Sequence, residues 1–132
     1  MTDARRQHTI LVVDDHADVR QSHRMIFETR GFAVEEAADG AQALASIKRS
    51  VPSLVLLDLM MPGIDGLEVL KSIRENPLTK DLPVIVVTAK ASSADIQLGY
   101  RSEADYYMTK PCSNAQLRQV VDTILALQKI DR

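Results

Sequence analysis

The chain has 132 residues, 45% of them hydrophobic but only 4% aromatic, and a formal net charge of −2 at pH 7. That length gives one domain with an aliphatic core, and the near-balanced charge excludes a strongly basic nucleic-acid surface. The single cysteine, Cys112, excludes an internal disulfide and fits a reducing compartment, and no apolar run reaches the length of a membrane span.

The opening "MTDARRQH" has charges with no apolar stretch behind them, so residues 1–8 read as a flexible solvated tail and not a secretory signal. "TILVV" (Thr9–Val13) reads as a buried strand. "ADVRQSHRMIFETRG" follows as a helix, with Val19, His23, Ile26 and Phe27 on one face and Gly31 at the stop. "FAVEEA" (32–37) alternates like a strand. "DGAQALASIKR" is the second helix and turns Ala43, Leu44 and Ile47 inward. "SLVLLD" (53–58) is a second continuous apolar run, ending on Asp58. "DGLEVLKSIREN" is a helix that buries Leu67, Leu70 and Ile73. "PVIVVTA" (83–89) is a third apolar run. "SADIQLGYR" is a weak helix whose only strong apolar pair is Ile96 and Tyr100. "ADYYMTK" (104–110) is a short strand. "SNAQLRQVVDTILALQK" closes the chain with Leu117, Val120, Val121 and Ile124 at helical spacing. The last helix is expected to end near Lys129, with no output domain after "IDR".

Strands alternating with helices predict an α/β fold: a doubly wound, five-stranded parallel sheet over 9–129, with five helices on both faces. Glu35 and Glu36 suit an edge strand, and the short polar fifth strand suits the other edge. Right-handed crossovers then favour the flavodoxin-like order 2-1-3-4-5.

Ligands bind such sheets beyond the carboxyl ends of the strands. The residues at those ends are Asp14 and Asp15, Asp58, Thr88, and Lys110 with Pro111. Three carboxylates at roughly 4–6 Å would raise at least one pKa by repulsion. Magnesium would relieve that conflict, because it takes one or two carboxylates, keeps several waters and often shares a phosphate. Lys110 adds a second positive charge and Thr88 a hydroxyl. Together they could accept a phosphoryl group, with an aspartate as the acceptor.

In order and spacing, "VVDD", "LLDLMMPGIDG", "VVTA" and "KP" resemble the receiver domain of two-component response regulators, over Thr9 to about Leu127. The resemblance implies a phosphorelay switch in the cytoplasm, with no turnover of external substrates. It makes Asp58 the phosphoacceptor. Mg2+ would be held by Asp15, Asp58 and the Met60 backbone carbonyl, with Asp14 acting through water. Thr88, the Ala89 backbone and Lys110 would bind the phosphoryl group. Thr88 and Tyr107 would be the switch, and Lys110–Pro111 a cis peptide. The implied partners are a histidine kinase or phosphotransfer protein, and a downstream protein docking on the fourth helix, fifth strand and fifth helix. No direct contact with nucleic acid or membrane is implied, and a phosphorylation-dependent homodimer is left open.

Taken singly, these residues have plainer readings: Asp15 as a helix N-cap, Thr88 as a strand-end hydroxyl, Lys110 as a solvated lysine, Tyr107 as packing. Asp39 and Asp65 read as caps. The three histidines His8, His16 and His23 show no metal-ligand spacing, and His23 reads as a packed or partly exposed helix residue. Cys112 reads as a small residue starting a helix. Departures from the family pattern are Glu103 where glycine is common, Cys112 where phenylalanine is common, and the longer connection "ENPLTKDLP". Met60 and Lys90 occupy variable positions flanking the path of water to an acyl phosphate, and are expected to tune its lifetime. An aspartate-based, Mg2+-dependent phosphatase is disfavoured because Met60 stands where its general acid would be. A flavin carrier is disfavoured because "DDHADV" would repel phosphate, and a non-phosphorylated scaffold because the site residues are complete. Excision from a longer response regulator or hybrid histidine kinase remains an alternative.

Overall fold

The computed structural model describes residues 8–130. The expected N-terminal tail therefore lies outside the described residues except for His8. Its carbonyl accepts the Ala33 N–H at 3.1 Å and its ring lies 6.3 Å from that of Phe32, so His8 joins the fold.

Ten elements alternate: β1 (Thr9–Val13), α1 (Ala17–Thr29), β2 (Ala33–Ala37), α2 (Gly40–Arg49), β3 (Leu54–Leu57), α3 (Gly66–Glu75), β4 (Val84–Thr88), α4 (Ser93–Arg101), β5 (Tyr106–Thr109) and α5 (Asn114–Ile130). The strands form one parallel sheet in the order β2-β1-β3-β4-β5, as expected, with the glutamate-bearing and short polar strands at its edges. Strand side chains alternate between faces, so each central strand feeds two cores. Leu11, Val13, Val55, Leu57, Val84 and Val86 pack with Ala43, Ile47, Val69, Leu70 and Ile73 of α2 and α3. Ile10, Val12, Leu54, Leu56, Ile85 and Val87 pack with Phe27 of α1 and Leu117, Val121, Ile124 and Leu125 of α5.

Several local expectations shift. Phe32 precedes β2, because its N–H closes the end of α1 by donating to the Phe27 carbonyl at 3.0 Å. In α3, Val69 is fully buried while Leu67 packs only partly against the core. In α4, Ile96 reaches the core but Tyr100 is 46% exposed, and Gly99 is the helix's one buried residue. A Cβ on Gly99 would lie 2.5 Å from Tyr107 Cδ2, so the missing side chain is what admits the Tyr107 ring.

At the amino edge of the sheet, Arg74 of α3 ties together the α3–β4 and α4–β5 connections. Its guanidinium donates to the Glu103 carbonyl at 2.9 Å, the Leu82 carbonyl at 2.6 Å and Asp105 Oδ2 at 2.9 Å. Asp105 Oδ2 also accepts the Val84 N–H at 2.7 Å. The chemistry-bearing residues lie at the other edge.

Candidate functional site

β1 runs directly into Asp14, β3 into Asp58 and β5 into Lys110. Parallel pairing sets these ends side by side. The Asp58 N–H donates to the Val13 carbonyl at 3.0 Å and the Lys110 N–H to the Thr88 carbonyl at 2.8 Å. After β3 the chain folds tightly back: a Cβ on Gly66 would lie 2.5 Å from the Asp58 carbonyl oxygen and 2.6 Å from Leu59 Cα. Glycine at the start of α3 thus lets that helix close against the loop carrying Asp58.

Asp14 and Asp58 are almost fully buried, at 2% and 4% exposure, where an unpaired carboxylate would be costly. One ammonium serves both: Lys110 Nζ lies 2.6 Å from Asp14 Oδ2 and 3.1 Å from Asp58 Oδ2. Backbone groups complete the set. Asp58 Oδ1 accepts the Met60 N–H at 2.9 Å, and Asp14 Oδ1 accepts the His16 N–H at 2.9 Å. Burial alone would raise the Asp14 pKa, but Lys110 and the His16 N–H outweigh it and hold the carboxyl below its usual range. Burial alone would lower the Lys110 pKa, but the hydrogen bonds it donates to Asp14 and Asp58 and their charges raise it. Asp14 and Lys110 therefore both stay ionised at neutral pH.

Asp15 is partly exposed at the rim. It is not the cap of α1: His16 holds the N-cap position and makes no side-chain capping bond. The His16 ring turns back to the acids, with Nδ1 3.0 Å from Asp14 Oδ1 and 3.1 Å from Asp15 Oδ1. Its pKa is raised by the hydrogen bond to Asp14, then by the charges of Asp15 and Asp14. Sequence spacing gave His16 no ligand partners, since it lacks a second histidine or cysteine nearby. Its position right after the aspartate pair was the available signal. Asp39 and Asp65 are caps, accepting the N–H groups of Gln42 and Glu68.

Thr88 is fully buried at the end of β4, and its hydroxyl accepts a long 3.5 Å contact from the Lys90 N–H. Tyr107 lies behind this strand end, 7% exposed, and its hydroxyl donates to the Lys90 carbonyl at 2.8 Å. Burial raises its pKa, with the charges of Asp95 and Asp58 adding to the effect. Ala89 and the Met60 side chain are exposed, Lys90 is half-buried, and the Lys110–Pro111 peptide is cis. Carboxylate oxygens of Asp14, Asp15 and Asp58 and a ring nitrogen of His16 lie within 4.8 Å of one another. Such a half-open, oxygen-rich set fits a divalent cation that keeps part of its water shell.

The sequence profile of the response regulator receiver domain matches residues 10–122. The chain belongs to that family. Among similar receiver-bearing proteins, the transcriptional regulatory protein ResD of Bacillus subtilis is 43% identical over 118 residues, covering 89% of this chain and 47% of ResD. The DNA-binding response regulator MtrA of Mycobacterium tuberculosis is 38% identical over 82% of this chain and 46% of MtrA. This receiver domain spans about half the length of the curated relatives it matches. A CheY-like receiver domain protein from Methanospirillum hungatei superposes with a TM-score of 0.89 at 30% identity, covering 95% of this chain and 98% of that one. The chemotaxis protein CheY4 of Vibrio cholerae gives 0.83 at 28%, covering 88% and 97%. As a response regulator receiver, the chain is a component of two-component signalling. Among the described residues, no helix is long and apolar enough to cross a membrane.

Proposed function

We propose that Asp58 accepts a phosphoryl group from a histidine kinase or phosphotransfer protein in the cytoplasm. The observation that carries this reading is the buried Asp58 carboxylate, paired to Lys110 across from Asp14. Asp58 Oδ2 attacks phosphorus, the P–N bond of the donor phosphohistidine breaks as the P–O bond forms, and the departing imidazole takes up a proton. Lys110 follows the developing negative charge, while Thr88 Oγ1 and the Ala89 N–H bind the phosphoryl oxygens. Asp15, Asp58 and the Met60 carbonyl would hold Mg2+, with Asp14 acting through water. Bound there, the ion would supply positive charge that offsets the carboxylates and the incoming phosphoryl group.

Drawing the Thr88 hydroxyl toward a phosphoryl group removes it from Lys90 and biases Tyr107 and α4 between two arrangements. The output surface is then the face of α4, β5 and α5, where a cleft of about 570 Å³ is lined by Tyr106, Cys112, Gln116 and Val120. Its partner is a downstream protein or a second copy of the chain, with no direct contact to nucleic acid. The reading holds equally for a stand-alone receiver and for one module of a longer response regulator or hybrid histidine kinase. Turnover of external esters is not expected, because Met60 stands where an aspartate phosphatase has its acid.

Acetyl phosphate with Mg2+ should label the wild-type protein and leave Asp58→Asn unlabelled; equal labelling of both would refute the assignment. Met60 and Lys90 border the approach of water to the acyl phosphate. The label on Met60→Asn and Lys90→Glu should decay at rates different from wild type by about threefold or more, about 0.65 kcal/mol in barrier. Unchanged decay in both would remove them from the mechanism.

A further inference from the structure

His16 has a place at the acidic pocket that the phosphoryl chemistry does not use. Its backbone N–H is anchored on Asp14 Oδ1 at 2.9 Å, which fixes the residue at the rim. Its ring nitrogen Nδ1 lies 3.0 Å from Asp14 Oδ1 and 3.1 Å from Asp15 Oδ1, and the side chain is 62% exposed. Adjacent ligands of an octahedral ion with bonds of about 2.1 Å are separated by about 3.0 Å. Nδ1 therefore stands at the spacing of an adjacent ligand from an oxygen of each carboxylate. Asp58 lies close enough to join them.

We infer that His16 is a nitrogen ligand that gives this pocket a preference for divalent transition-metal ions over Mg2+. Mg2+ favours oxygen donors and gains little from an imidazole, whereas Ni2+, Co2+ and Zn2+ bind it well. The inference rests on the reading of Asp14, Asp15 and Asp58 as the metal seat and extends it to which metals the seat takes. The other described histidines lie elsewhere: His8 precedes β1 at the opposite edge, and His23 is two turns into α1.

The test is calorimetric titration of the metal-free protein with Ni2+ and with Mg2+, in wild type and His16→Gln. Glutamine keeps a hydrogen-bond donor beside Asp14 but lacks the imidazole nitrogen. Wild type should bind Ni2+ at least about tenfold more tightly than Mg2+; the variant should lose about tenfold in Ni2+ affinity and stay within about twofold for Mg2+. Electron paramagnetic resonance of the Cu2+ form gives a second readout. Nitrogen coupling present in wild type should disappear in His16→Gln. Nickel affinity or nitrogen coupling unaffected by the substitution would overturn the inference while leaving the phosphoacceptor reading intact. Failure of Mg2+ to bind wild type would instead count against the metal seat itself.

Discussion

Glu103 has a φ of 71°, in the left-handed region that costs a non-glycine residue about 1–2 kcal/mol. The reason lies in how α4 stops. The Glu103 N–H donates to the Tyr100 carbonyl at 3.0 Å and the Ala104 N–H to the Gly99 carbonyl at 3.2 Å, the paired bonds of a Schellman ending. A positive φ at such an ending is what makes glycine the best-suited residue there. Here the Glu103 carbonyl is still claimed by Arg74, and its carboxylate, 70% exposed and 4.0 Å from the guanidinium, contributes little. Glycine would relieve the strain but add about 0.4–1 kcal/mol of unfolded-chain entropy. Glu103→Gly should therefore stabilise the protein by about 0.5–1 kcal/mol in urea unfolding. A neutral or destabilising result would mean that the glutamate side chain contributes more than its exposure suggests.

Among the elements, α4 is the least anchored. Its only buried residue is a glycine, Leu98 and Tyr100 are each 46% exposed, and Ile96 alone carries its apolar contact with the core. By contrast, α5 buries Leu117, Val121, Ile124 and Leu125. What ties α4 to β5 is polar and local: the Tyr107 N–H donates to the Tyr100 hydroxyl at 3.2 Å, and the two rings lie 6.3 Å apart. Segments with few buried apolar contacts open below the global unfolding free energy. In native-state hydrogen exchange, amides of α4 should exchange at least about tenfold faster than those of β1 and β3. Exchange of α4 at the same rate as the central strands would show that it opens only with the whole domain. This weakness was legible in the sequence as sparse apolar spacing. The exposure of Tyr100 was not, because the space it was expected to fill is taken by Tyr107 lying over Gly99.

For the whole molecule, legibility followed burial on both faces. β1, β3 and β4 read as unbroken apolar runs because each is covered twice, and that pattern pointed to the layers and to the three central strands, while the order rested on crossover handedness. The edges of elements were harder to read, because a hydrogen bond such as Phe32 to Phe27 leaves no mark in composition. At the site, strand ends pointed to Asp14, Asp58 and Lys110, since parallel pairing collects carboxyl ends. The return of His16 onto the acids, and the three-way hold of Arg74, depend on side-chain directions that no spacing encodes.

The shared ammonium of Lys110 also bears on how such a site can change over generations. Losing Lys110 leaves the buried carboxylates of Asp14 and Asp58 without their shared cation, a penalty of several kcal/mol, whereas losing either acid leaves the ammonium paired with the other. Replacement of Lys110 is then the costliest change among the three. The rim residues Asp15, His16, Met60 and Ala89 face water and carry no such penalty. If the proposed roles of these residues hold, inherited variation in metal choice and signal lifetime falls to the rim, while the lysine-bridged acids beneath it change least.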